Sequence, residues 1–263
     1  MCVTCGCSDH TLPTHKHEHP HSHDHGHDPE HSHAPYLQHD SHPQHEPDLR
    51  LLHLEHAVLS RNAHLAAHNR EWLDERRIFA LNLVSSPGSG KTTLLERTIA
   101  DTAGRATIGV LQGDQETDND AIRIRRAGAK SIQINTGKGC HLDASMIARS
   151  LPELDPPPRS ILVIENVGNL VCPALFELGE HVRVAVLSVT EGTDKPLKYP
   201  YLFRGSHVVL INKVDLAPYV DFDIDACKRN VRRVNPDAVI HTVSAKTGEG
   251  LDPFYDFLTE ARS

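Results

Sequence analysis

An apolar run at residues 78–84 ends in Ser85-Ser86-Pro87-Gly88-Ser89-Gly90-Lys91-Thr92-Thr93 and passes directly into a helical pattern carrying Leu94 and Leu95. A glycine-containing loop closed by Lys-Thr, with a strand before it and a helix after it, constrains the chain more than any other segment. It requires a buried strand whose carboxyl end delivers the loop to a helix N-terminus. Backbone N–H groups of such a loop, with those of the helix start, cradle phosphate oxygens. Gly88, Ser89, Gly90, Lys91, Thr92 and Thr93 are the expected phosphate-binding residues, with Lys91 reaching the β and γ phosphates and the Thr92 hydroxyl ligating Mg²⁺. Ser85 stands where this motif usually begins with glycine, which leaves Gly88 and Gly90 to supply the tight turn.

The sequence around that loop repeats one alternation. Apolar runs near 78–84, 107–111, 131–135, 160–165, 182–189, 207–212 and 238–243 are separated by helical patterns that start near Lys91, Asp118, His141, Asp223 and Gly250. The fold class expected is α/β, a doubly wound, mostly parallel sheet of the P-loop NTPase type, with sites at the carboxyl ends of the strands. Residues 78–263 are read as this domain and residues 49–77 as a helical extension. There Leu51, Leu52, Leu54, Val58, Leu59, Leu65, Trp72 and Leu73 recur between charged and amide residues with no Pro or Gly, the pattern of one or two amphipathic helices packing onto the adjoining domain.

Base choice is read from two later strings. Asn212-Lys213-Val214-Asp215 follows the apolar run at 208–211, and Ser244-Ala245-Lys246 follows that at 239–243. Asp215 accepts from both the N1–H and the exocyclic amine of guanine, a donor pair that adenine lacks, so GTP and GDP are the expected nucleotides. Glu165 closes another apolar run in Glu165-Asn166-Val167-Gly168, beside the expected γ phosphate, and Asp114 follows the run at 107–111. Lys91, Asp114 and Glu165 are the candidate catalytic residues, and Thr92, Asp114 and Glu165 the candidate Mg²⁺ shell. Carboxylates merely exposed at strand ends are the competing reading for Asp114 and Glu165. No glutamine follows Gly168 to orient a water, so intrinsic GTP hydrolysis is expected to be slow.

Of 21 histidines, 13 lie between His10 and His45, and residues 1–49 hold a net charge of -7 out of the chain's -8. Residues 8–47 have almost no aliphatic side chain to bury, so residues 1–48 are read as a tail that is disordered without metal. No basic field points to nucleic acid, no apolar run approaches the roughly 18 residues of a membrane span, and the N-terminus lacks a signal peptide's apolar core. Clustered cysteines and histidines suit a reducing cytoplasm.

Cys2, Cys5 and Cys7 place three thiols within six residues, a set suited to Zn²⁺, Ni²⁺ or Cu(I), and the tail imidazoles favour Ni²⁺, Cu²⁺ and Zn²⁺. Cys140-His141 follows Gly137-Lys138-Gly139, and Cys172 follows the Glu165 segment. Two thiolates and an imidazole converge if those loops meet; if they do not, both cysteines are simply buried apolar residues. Cys227 is read as core, and the His53/His56 and His64/His68 pairs as solvated helix surface.

From the Cys2-Cys5-Cys7 start the sequence resembles the HypB family of hydrogenase nickel-incorporation GTPases. The resemblance runs through residues 62–70, 85–93, Gly113-Asp114-Gln115, Asn119-Asp120-Ala121, and residues 137–143, 165–172, 194–200 and 212–215. It implies a GTP-dependent homodimer of the signal-recognition-particle-like class, with Ni²⁺ or Zn²⁺ at Cys140, His141 and Cys172 near the dimer interface. It also implies a second nickel chaperone and a hydrogenase large-subunit precursor as partners, and a tail that resembles a nickel store. Two other readings stand beside it. A storage protein with a vestigial GTPase conflicts with intact Lys91, Thr92 and Asp215, and the urease-accessory GTPases carry Cys-Pro-His where this chain has Cys172-Pro173-Ala174.

Overall fold

The computed structural model describes residues 49–114, 119–137 and 139–260; the expected tail, with Cys2, Cys5 and Cys7, lies outside the described residues. The elements in chain order are α1 (Leu49–Glu75), β1 (Phe79–Ser85), α2 (Lys91–Asp101), β2 (Ile108–Asp114), α3 (Asn119–Ala127), β3 (Lys130–Asn135), α4 (Ala144–Leu154) and β4 (Ile161–Glu165). They continue with α5 (Cys172–Leu175), β5 (Val182–Ser188), α6 (Lys195–Lys198), α7 (Pro200–Arg204), β6 (Val208–Asn212), a 3₁₀ turn (Val214–Tyr219), α8 (Ile224–Val234), β7 (Val239–Thr242) and α9 (Asp252–Glu260).

The seven strands pair in the order β3-β2-β4-β1-β5-β6-β7, every pair parallel. Central strands of such a sheet are covered on both faces, which is why β1, β4, β5 and β6 read as continuous apolar runs. On one face Leu81, Leu83 and Val163 pack with Leu94, Leu95, Ile124 and Phe254 of α2, α3 and α9. On the other, Leu111, Leu162 and Ile164 pack with Leu73 of α1 and Ile147 and Leu151 of α4, while α7 and α8 cover Ala185, Val209 and Ile211 through Leu202, Phe203 and Val231. Burying one such leucine contributes about 1.5–3 kcal/mol.

Two boundaries and one buried face differ from the expectation. β2 runs on to Asp114, because Gly113 and Asp114 pair with Ile134 and Asn135 of β3; in sequence, a glycine and an aspartate after an apolar run read as the exit from a strand. α4 starts at Ala144, where Asp143 caps it by accepting from the Met146 N–H at 2.9 Å, so Cys140 and His141 stand in the loop ahead of the helix. α1 is one helix that docks through Asn62, Ala66, Asn69 and Leu73, whereas Leu54 and Val58, expected to pack, are exposed. Amides occupy the buried stripe because the surface beneath offers unpaired backbone groups.

Candidate nucleotide and metal site

At the carboxyl edge of the sheet a cavity of about 540 Å³ is lined by the loop after β1 and by residues from β2, α3 and the segment after β4. Gly88 and Gly90 take the left-handed conformation, with φ of 72° and 97°. A Cβ at Gly90 would also lie 2.7 Å from Asn212 Nδ2, so turn and close approach both demand glycine there. Ser85, buried at the end of β1, accepts from Lys91 Nζ at 2.6 Å and from Ser89 Oγ at 2.6 Å. Burial pushes the Lys91 pKa down, against the raising influence of Glu165, Glu191 and Asp120.

Glu165 is buried, not displayed at its strand end. Its Oε1 lies 2.7 Å from the Thr92 hydroxyl and its Oε2 accepts from Gln112 Nε2 at 2.8 Å. Burial pushes its pKa up, opposed by the Thr92 hydrogen bond, the Lys91 charge and the Gln112 amide. Asp114 stands on the cavity wall, but the second carboxylate beside Thr92 is that of Asp120, at 3.2 Å. Spacing alone assigns Asp120 no role, because its relevance depends on α3 starting over the phosphate loop. Arg123, one turn further along α3, bridges Asp120 (3.2 Å), Glu96 and Thr93 (3.2 Å). Gly168 lies against the phosphate loop, where an added Cβ would stand 3.0 Å from Pro87 Cα.

The two base-reading strings meet. Asp215 Oδ1 accepts from Ser244 Oγ at 2.6 Å, and Asn212 Oδ1 accepts from the Ala245 N–H at 3.0 Å. Asn212 also donates to the Ser89 carbonyl (2.9 Å) and Lys213 to that of Gly88 (2.7 Å), tying the base loop to the phosphate loop. Lys246 is exposed in the turn after Ala245.

Cys140, His141 and Cys172 converge, their ligand atoms all within 4.8 Å of one another. The two thiols are 3.0 Å apart, and Cys140 Sγ lies 3.7 Å from His141 Nδ1. Burial lowers the His141 pKa, with Asp143 opposing, which favours the neutral imidazole that binds metals. Phe176, just past α5, packs on that imidazole with ring centroids 4.1 Å apart; the sequence carries no signal for this contact. A soft donor set of two sulfurs and one nitrogen suits Ni²⁺ or Zn²⁺ and not Mg²⁺. Asn69 of α1 donates to the carbonyls of both Ala144 (2.8 Å) and Leu178 (2.9 Å), and Asn62 accepts from the Ala144 N–H (2.8 Å) and donates to the Glu177 carbonyl (2.7 Å). The helix therefore clamps the segments that follow both metal-ligand loops.

A phosphate-cradling loop, a buried acid beside its threonine and a base loop bonded back to it, all on one parallel sheet edge, define a nucleotide-binding protein of the P-loop GTPase type. The family model described as CobW/HypB/UreG, nucleotide-binding domain, matches residues 79–242. The hydrogenase maturation factor HypB of Rhizobium leguminosarum bv. viciae is 56% identical over 209 residues, covering 80% of this chain and 70% of that protein. HypB from Archaeoglobus fulgidus superposes with a TM-score of 0.73 at 43% identity, over 78% of this chain and 100% of that one. HypB from Helicobacter pylori in complex with nickel gives 0.72 at 39% identity, over 77% and 95%. The chain belongs to the HypB family of hydrogenase maturation factors.

Proposed function

We propose that this protein is a GTP-hydrolysing nickel metallochaperone that acts in the maturation of nickel-iron hydrogenase. One observation carries the reading: the Cys140, His141 and Cys172 ligand atoms lie within 4.8 Å of one another, and Cys172 belongs to the segment that leaves β4 at Glu165, beside the phosphate cavity. Nickel is cargo at those three residues, and Zn²⁺ fits the same donors. The phosphates occupy residues 88–93, and guanine is read by Asn212, Lys213 and Asp215 with Ser244, Ala245 and Lys246. Mg²⁺ fits the hard oxygens around Thr92, where Glu165 and Asp120 stand 2.7 and 3.2 Å from the hydroxyl and the expected Asp114 lines the same cavity. Bound there, Mg²⁺ supplies charge neutralisation for the transferring phosphoryl group, while Lys91 supports the same oxygens.

Movement of the Glu165–Gly168 segment on γ-phosphate loss displaces Cys172 relative to Cys140 and His141. Metal affinity tolerates little displacement, so GTP state sets nickel affinity and, by linkage, nickel sets GTP affinity by the same factor. Copies pair as a GTP-dependent homodimer in the cytoplasm, the tail with Cys2, Cys5 and Cys7 holds further nickel, and cargo passes with a second nickel chaperone to the hydrogenase large-subunit precursor. The test measures GTP and ATP turnover and bound Ni²⁺ on the purified full chain, with Lys91→Ala and Cys140→Ala alongside. Expected are slow GTP hydrolysis without ATP hydrolysis, loss of turnover but not of tail nickel in Lys91→Ala, and loss of the GTP-sensitive nickel in Cys140→Ala. Equal turnover of ATP and GTP would sink the guanine assignment, and nickel content blind to Cys140→Ala would sink the metal assignment.

A further inference from the structure

Glu165 is followed by Asn166, which is 1% exposed and has both ends of its amide engaged. Its Oδ1 accepts from the Val167 N–H at 3.0 Å and from the Leu142 N–H at 3.3 Å; Leu142 directly follows His141. Its Nδ2 donates to Asn82 Oδ1 at 3.3 Å. Asn82 lies in β1, the strand between β4 and β5, and passes the connection on by donating to Glu180 Oε1 at 3.1 Å. Glu180 is paired with Arg183 (3.0 Å), whose Nη1 donates to the Ala174 carbonyl at 3.1 Å, two residues after Cys172. One buried hydrogen-bonded chain thus begins beside the expected γ phosphate and ends at both loops that carry metal ligands.

We propose that Asn166 is a positioning residue which, pivoting on Asn82, couples the Glu165–Gly168 segment to the Cys140–His141 loop, so that nucleotide state reaches the nickel ligands through this amide. The inference rests on the proposed dependence of nickel affinity on nucleotide state; it names the path. Asn82 cannot follow a displaced Asn166, because its strand is bonded on both sides within the sheet. A shift of the segment after β4 therefore rotates or breaks the amide's bonds and is delivered to Leu142, one residue from the imidazole. The Glu180–Arg183 arm holds the Cys172 helix to the same strand, so the two ligand loops respond differently. Buried directional bonds have discrete made and broken states, which is what a switch needs and what apolar packing alone does not supply.

The test uses the full chain carrying Cys2→Ser, Cys5→Ser and Cys7→Ser throughout, so that the near-ultraviolet Ni²⁺–thiolate absorption reports on Cys140 and Cys172 alone. Ni²⁺ is titrated in the Mg²⁺·GDP state and with a non-hydrolysable GTP analogue. The parent is expected to differ about fivefold or more between states, and Asn82→Ala to bring that ratio within about twofold of unity with GTP affinity unchanged. Where Asn82→Ala does not fold, Asn82→Leu takes its place, keeping bulk at the buried position while removing both the donor to Glu180 and the acceptor for Asn166 and leaving the Glu180–Arg183 pair intact. Asn82→Leu is expected to lose the ratio as Asn82→Ala does, and a preserved ratio in the folded variant overturns the relay. A preserved ratio in Asn82→Ala, or equal loss of nickel affinity in both states, overturns the relay while leaving the metallochaperone reading intact. A parent with equal affinities removes the coupling itself, and the relay with it.

Discussion

Asp215 has one carboxylate oxygen engaged by Ser244 at 2.6 Å, which fixes the orientation in which the carboxylate meets a base edge. Asp215→Asn is expected to weaken GTP by about 1.5–3 kcal/mol, the scale of a hydrogen bond to a charged group, and to gain affinity for xanthine nucleotide. Competition binding with GTP and XTP checks it; unchanged GTP affinity would remove Asp215 from base reading. Cysteine chemistry separates equally sharply. Burial pushes the Cys227 thiol up to about 12, so it should resist alkylation in the native protein, and Cys172, buried as fully, should resist with it, whereas the half-buried Cys140 should react and be protected by Ni²⁺. Peptide mapping after brief iodoacetamide treatment with and without metal reads this, and nickel-independent labelling of Cys140 would count against it as a ligand.

Helix α1 buries two asparagines where its leucines promise an apolar face. Asn69 satisfies two buried carbonyls from segments 75 and 109 residues away, and an unpaired buried group costs about 1–3 kcal/mol. Asn69→Leu is expected to lower Tm by several degrees and to weaken nickel at Cys140, His141 and Cys172, with GTP affinity unaltered because α1 does not line the nucleotide cavity. Calorimetry with nickel and nucleotide titrations on one preparation tests it, and full nickel affinity in the variant would mean the clamp does not shape the metal pocket. The same contrast explains what was legible. Phosphate and base loops are contiguous strings whose geometry is local, so their residues can be named from spacing. The convergence of Cys140 with Cys172 depends on β2 lying between β3 and β4, a long-range arrangement that no local pattern encodes. Gln112 and Phe176 carry no signal for the same reason, and Asp120 and the α1 amides enter only as letters of the resemblance, without a role: each acts on a segment distant in sequence.

Across the whole molecule, candidate metal ligands fall into two populations, 13 histidines and three cysteines before residue 49 in the sequence and, among the described residues, the three converging ones on the sheet edge. Deleting residues 8–47 removes imidazoles but no residue of the cavity. Most of the nickel capacity should disappear with no change in GTP turnover, as read by metal analysis and phosphate release. Unchanged stoichiometry after deletion would leave the tail histidines no part in nickel binding. Among the described residues no helix is long and apolar enough to cross a membrane.

Synthesis imposes an order on the clamp made by α1. Asn69 leaves the ribosome 109 residues before Leu178, one of the carbonyls it holds. At about 5–20 residues per second, that is roughly 5–20 s of elongation during which the helix exists without its receptor. Neither the proposed metal pocket nor the seat of α1 can be complete before Leu178 is made, so a chain stalled just short of it would carry every tail histidine and both cysteines of that pocket but lack one of the carbonyls on which the clamp closes.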